Sequence, residues 1–162
     1  MKRMKILPLV LLFGVVLFSC EKDSTKEWQY KYGFTPQDVI GHFTYSGVSD
    51  AFEGLTESEY FHLCDDAIID ISSSGVNGLQ FNIRCPKADF TRSFTGQHNG
   101  GDEDFLIQIK ASQSTYADEV TAYVYTNKSG KIRLHGYARK AKYHPATDEY
   151  YWVNYYFDVI KN

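Results

Sequence analysis

The chain has 162 residues, 17 Lys+Arg against 20 Asp+Glu, and a formal net charge of −3. Its length is about that of one domain, which excludes a large multidomain enzyme, and an aromatic content of 16% excludes collagen-like and disordered classes. Lys2, Arg3 and Lys5 lie in a segment argued below to be removed; without them 14 basic residues oppose 20 acidic ones, a net charge of −6, and no nucleic-acid phosphate footprint is expected.

The N-terminus comes first in chain order. Three cations precede an apolar run over residues 6–17, interrupted by Pro8 and Gly14. A bilayer span needs roughly twenty residues, so the run reads as a secretory signal. It ends in Leu17-Phe18-Ser19-Cys20. This resembles the lipobox of bacterial lipoproteins, with a bulky Phe18 at the second position before the cysteine. The resemblance implies cleavage before Cys20 and acylation of that residue. Residues 1–19 are then the signal peptide, 20–27 a lipidated tether and 28–162 the folded domain. Glu21 follows the cysteine, and Cys20-Glu21-Lys22-Asp23 resembles the charged surface-export signal of Bacteroidota lipoproteins. The implied location is the outer membrane, lipid-anchored and facing outward.

Trp28, Tyr30, Tyr32 and Phe34 alternate, so an extended segment places them on one face. Thr35-Pro36-Gln37-Asp38 is a helix start with Thr as N-cap, Pro at the first position and an acid at the third. Gly41 limits that helix to about one turn. From there the period is two. Phe43 with Tyr45 and Phe61 with Leu63 mark two strands. Ala67, Ile69 and Ile71 face Leu79, Phe81 and Ile83 across Ser72-Ser73-Ser74-Gly75-Val76-Asn77-Gly78, which reads as a hairpin.

Cys64 and Cys85 fall near the open end of that hairpin, in an oxidising compartment where pairing is expected. Matching apolar faces pairs Ile71 with Leu79 and Ile69 with Phe81, which sets Cys85 opposite Asp65. A bulge, or a break near Asp65, is needed to join the thiols. The two cysteines are therefore either a disulfide or two buried thiols.

Further strands follow: Phe105, Ile107 and Ile109; Val120, Ala122 and Val124; Ile132, Leu134 and Gly136; then Tyr151, Val153, Tyr155, Phe157 and Val159. Turn residues at Asn99-Gly100-Gly101-Asp102, Asn127-Lys128-Ser129-Gly130 and His144-Pro145-Ala146-Thr147-Asp148 separate them. Only residues 112–122 are ambiguous. About eight short strands predict an all-β fold: an antiparallel up-and-down barrel, or alternatively a β-sandwich. A helical turn before Gly41-His42-Phe43 is similar to the opening of lipocalins and other calycins, with Phe43 in place of their Trp. The chain most resembles small calycin-like lipoproteins of Bacteroidota. The resemblance implies an Arg from the end strands packing on Phe43, and Arg139 is the match.

No catalytic constellation is legible. Gly-x-Ser-x-Gly is absent, and His42, His62, His98, His135 and His144 share no metal spacing. Asp65-Asp66 and Asp102-Glu103-Asp104 are carboxylate pairs of the kind an acidic chain offers by chance; the second reads as a solvated turn, with weak calcium binding as the alternative. No cofactor, metal or catalytic residue is assigned.

The last strands carry a second pattern. Opposite their aliphatic residues stand Thr121, Tyr123 and Tyr125, then Arg133, His135 and Tyr137, then Trp152, Asn154 and Tyr156. If these strands are antiparallel neighbours, one face is aliphatic and the other carries flat rings with polar tips. Such a face suits a ligand or is a ladder of cross-strand aromatic pairs. Tyr123, Tyr125, Arg133, His135, Tyr137, Trp152, Asn154 and Tyr156 form the candidate ligand face. The expected function is non-enzymatic binding of a small lipophile or a glycan. The alternatives are a protein-interaction subunit of an envelope complex and, last, a hydrolase. A barrel cavity favours the lipophile, a flat aromatic face the glycan, and a filled interior with an apolar surface patch a protein partner.

Overall fold

The computed structural model describes residues 27–48, 51–97, 104–110 and 117–162. The proposed signal peptide, Cys20 and most of the tether lie outside them, as do Asn99-Gly100-Gly101-Asp102, Glu103 and His98. The fold is all-β. Ten strands run β1 Gln29–Tyr30, β2 Gly41–Tyr45, β3 Phe61–Cys64, β4 Ile68–Ser73, β5 Gly78–Cys85, β6 Phe90–Gln97, β7 Leu106–Lys110, β8 Glu119–Thr126, β9 Ile132–His144 and β10 Glu149–Lys161. One helical turn, α1 Pro36–Val39, precedes β2.

All ten strands belong to one sheet, ordered β1-β8-β9-β10-β2-β4-β5-β6, with β7 on β8 and β3 on β10. Every pairing is antiparallel except β3 with β10. The long meander returns on itself because β10 pairs with β2, Val159 opposite Tyr45. β6 and β7 lie side by side, with no ladder between them among the described residues. A Cβ on Gly96 of β6 would sit 2.9 Å from Ile109 Cγ2 of β7. The sheet therefore curls like a barrel with one seam held by side chains rather than closed by hydrogen bonds.

The inside of the curl is filled. Phe43, Phe81, Phe94 and Phe157 are buried together with Ile69, Leu79, Ile83, Ile107 and Leu134, in one continuous core. Each such side chain contributes about 1.5–3 kcal/mol on burial, so this core is what holds the strands in place. In α1, the Asp38 carboxylate accepts hydrogen bonds from the Thr35 N–H (2.7 Å) and Oγ1 (3.0 Å). Those bonds, the backbone one foremost, hold the Asp38 carboxyl below its ordinary pKa.

Four expectations need correction. The hairpin of β4 and β5 pairs Ile71 with Phe81 and Ile69 with Ile83, two residues away from the pairing expected. Ser74 donates its N–H to Gly78 O, and Asn77 takes φ 57°, so the turn sits further along the chain. The chain breaks at Asp65-Asp66, β3 leaves for β10, and Cys64 meets Cys85 in a disulfide with Cα atoms 5.3 Å apart. Trp28, Tyr30, Tyr32 and Phe34 do not share a face: Gly33, at φ 61°, turns the chain, leaving Tyr32 exposed and Phe34 in the core. Arg139 does not pack on Phe43; it lies on the opposite side of the sheet, stacked on Trp152. The cation beside Phe43 is Lys161, which pairs with it and donates to Asp38 O at 2.9 Å. Last, β6 is a strand the sequence did not announce.

Candidate functional site

β8, β9 and β10 are consecutive antiparallel neighbours. Strand alternation therefore sorts their side chains into two continuous faces. Val120, Ala122, Val124, Leu134, Ala138, Val153, Phe157 and Val159 all point into the core and are fully buried. The other face, on the outside of the curl, carries the eight candidate residues. The pairings set Tyr123 beside His135, Tyr125 beside Arg133, Thr121 beside Tyr137, and Tyr137 beside Tyr156.

The middle of this outer face is an aromatic row. Phe61 of β3 stacks on Tyr156 with ring centroids 6.0 Å apart, and Tyr156 meets Tyr137 at 5.6 Å. Burial raises the Tyr156 hydroxyl pKa, and the neighbouring Tyr137 adds to it. The Tyr156 phenol is therefore neutral at physiological pH, able to donate and to accept.

An ion pair flanks the row on either side. On one side the Arg133 guanidinium grips Asp158, with Nε at 2.9 and 3.0 Å from the two carboxylate oxygens and Nη2 at 2.6 Å. His135 Nδ1 lies 2.9 Å from the same carboxylate. Asp158 is fully buried. Burial alone would raise its pKa, but bonds from His135, Arg133 and Ser46 outweigh that and hold it below its ordinary value. With the carboxylate ionised and acceptor-only, His135 Nδ1 is the donor in this contact. On the other side Arg139 Nη2 lies 2.8 Å from Glu119 Oε2, and its guanidinium sits 4.3 Å over the Trp152 ring. Glu119 is almost fully buried. Three atoms beside the row, Glu119 Oε2, Thr121 Oγ1 and Arg139 Nε, are buried and make no hydrogen bond. For Glu119 Oε2 the ion pair at 2.8 Å supplies the contact, in a geometry short of a hydrogen bond.

The eight candidates do not form one uniform surface. His135, Tyr137, Trp152, Asn154 and Tyr156 gather around the central row, half-buried. Tyr123, Tyr125 and Arg133 lie toward the end where β1 adds to β8. There Tyr30 stacks on Tyr125 at 4.7 Å and Phe105 on Tyr123 at 6.0 Å, and Trp28 and Tyr125 flank Arg133. Burial and the Tyr30 contact push the Tyr125 hydroxyl far above its ordinary pKa. Phe61, Glu119, Asp158 and Arg139 belong to the face and were not among the candidates. Asp158 and Arg139 had a signal: both sit at outward positions of the same alternation. Phe61 had none, because β3 joins β10 in parallel from more than ninety positions away.

A concavity of about 500 Å³ lies near the disulfide and is lined by Tyr45, Phe52, Glu57, His62, Leu63 and Lys87 among others. Its ionisable Glu57, His62, Asp65 and Lys87 side chains are already engaged: Glu57 accepts from the Leu63 N–H and lies 3.2 Å from His62 Nδ1, while Lys87 pairs with Asp65 at 2.8 Å. Among the described residues no three His, Cys, Asp or Glu side chains group as metal ligands, and no helix is long and apolar enough to cross a membrane. Against protein-family models, curated proteins and solved structures the chain finds no match.

Proposed function

We propose that this protein is a lipid-anchored outer-membrane lipoprotein, calycin-like and exposed at the cell surface, whose sheet presents a non-enzymatic binding face for a neutral glycan. The observation that carries the reading is the Phe61–Tyr156–Tyr137 row on the outside of the sheet. Flat rings offer apolar faces to the C–H side of a sugar, and hydroxyl, amide and imidazole groups at their edges orient its hydroxyls. The core side chains fill the inside of the curl, which favours a ligand on the surface over a lipophile within. The charge state favours a neutral sugar: Arg133 and Arg139 are each matched by a buried carboxylate, so neither guanidinium needs an anionic ligand.

The test is a glycan array followed by calorimetry on the mature protein. The expected result is a neutral oligosaccharide whose affinity drops at least tenfold when Tyr137, Trp152 and Tyr156 are replaced together by Ala. Undiminished binding in that variant, or a preference for sulfated or uronate glycans, refutes the reading.

A specific observation favours a second reading, an accessory subunit. Beyond Arg139 and before Asn154, β9 and β10 pair only with each other among the described residues. This arm exposes Tyr143 and Tyr150, 48% and 54% accessible, with rings 5.2 Å apart. A photo-crosslinker at either position that recovers one specific envelope protein from intact cells supports this role; recovery of none counts against it.

A further inference from the structure

The outer face has two distinct ends, and each holds one of the chain's two tryptophans. Trp152 stacks under Arg139 at one end, and Trp28 lies over Arg133 at the other. Arg133 and Arg139 are six residues apart on β9, which separates the ends by about 20 Å.

The Trp28 end has a composition of its own. Tyr30 and Tyr32 are exposed, 41% and 67% accessible, and both pack on Phe105, at 4.2 and 5.1 Å. Gln29 pairs with Thr126, so the chain runs past the end of β8 as it is followed back toward residue 27. That brings it alongside the β8–β9 turn, where Lys128 and Lys131 are exposed. Asn127 Oδ1 fixes this turn by accepting from Ser129 and Lys131 N–H groups, both at 3.0 Å. Trp28, in the same segment as Tyr30 and Tyr32, is half-buried, and Tyr and Trp rings rimmed by lysines are the side chains that settle at a bilayer's headgroup level. The cations there meet lipid phosphates. The distance to the anchor is also short. Eight residue steps separate Cys20 from Trp28, at most about 29 Å in any conformation.

From these observations we infer that the end of the sheet formed by Trp28, Tyr30, Tyr32 and Phe105, with Lys128 and Lys131, seats on the phospholipid surface into which the Cys20 acyl chains insert. The inference rests on the lipid-anchor reading above. It orients the molecule: Trp152 and the Tyr143–Tyr150 arm stand away from the bilayer, free to meet what lies outside.

The two tryptophans supply the test. The full acylated protein is reconstituted into phosphatidylcholine vesicles, with and without phosphatidylglycerol, whose acyl chains are brominated near the headgroup. Trp152→Phe leaves Trp28 as the reporter, and Trp28→Phe leaves Trp152. The expected result is at least twofold quenching of Trp28, stronger with phosphatidylglycerol, and none of Trp152. The unsubstituted chain checks both variants, since only part of its emission should quench. Tyr30→Ser with Tyr32→Ser should reduce Trp28 quenching while the protein stays with the vesicles. Equal quenching of the two tryptophans, or none of Trp28 in an acylated chain, overturns the seating alone. An intact mass lacking acyl chains overturns anchor and seating together. Shielding of Trp28 that rises with protein concentration without lipid points to a second copy and also overturns it.

Discussion

Replacing Asp158 with Asn tests the account of the outer face most directly. The substitution keeps the shape of the side chain and removes its charge. Arg133, whose side chain is 8% accessible, is then a buried cation without a counter-charge, and His135 loses an anionic partner at 2.9 Å. Breaking a buried pair from one side costs about 3–5 kcal/mol. With a urea m-value of about 2 kcal/mol/M, the unfolding midpoint falls by about 2 M. Removing both partners, as Arg133→Met with Asp158→Asn, leaves no orphan charge, and stability returns to within about 1–2 kcal/mol of the parent. The pH dependence has a definite sign. The folded-state pKa of Asp158 lies below its ordinary 3.8, so its contribution is complete above about pH 4–5 and is lost as pH falls through the folded-state pKa. Urea titrations from pH 7 down to pH 3 measure all of this. A loss below about 1 kcal/mol for Asp158→Asn, an additive double variant, or an unchanged acid slope would refute the reasoning.

Three further outcomes follow from the same structure. Replacing Cys64 and Cys85 by Ala opens a loop of sequence separation 21 and costs about 3 kcal/mol; thermal unfolding reads this, and reduction of the parent adds 2 Da to its intact mass. Gly136→Ala costs about 3 kcal/mol, since its Cβ would lie 2.0 Å from the Thr121 carbonyl oxygen and 2.7 Å from Ala122 Cα, both backbone atoms; a melting temperature like the parent's would mean that β8 and β9 can separate freely there. Asp38→Ala removes the acceptor for both Thr35 groups and costs about 1 kcal/mol; because the Asp38 pKa is lowered, the difference from the parent in chemical denaturation should shrink as pH falls below about 4.

The two-faced character of β8, β9 and β10 was legible because aliphatic residues and Tyr, Trp, His or Arg alternate there with an unbroken period of two. Which face turns inward was not, since that depends on how the sheet curls, and β10 curls it by pairing with β2 across more than a hundred positions. The hairpin register was misread for a local reason. Shifting the register by two residues keeps every apolar side chain on the same face, so the pattern allows both pairings. Hydrogen bonding from Ser74 to Gly78, with Asn77 at positive φ, decides between them. β6 escaped because only Phe90 and Phe94 of its residues are buried hydrophobics, four positions apart with Thr, Arg and Ser between. At the site, Tyr137, Trp152 and Tyr156 could be found from alternation. The burial of Asp158 could not, because Arg133 and His135 reach it from another strand.

β10 holds three partners at once, with β9 along one edge and β2 and β3 sharing the other. Of the ten strands it is the last to be synthesised. While the chain grows from its N-terminus, β2 lacks its bond to the second half of the molecule and β3 has nothing to pair with. The single core formed by both halves cannot close until these residues arrive. Closure of the core is thereby deferred until β10 has been made, and the strands before it wait as an open sheet. The same arrangement makes β10 the weakest place for a truncation, since its loss unties three seams together.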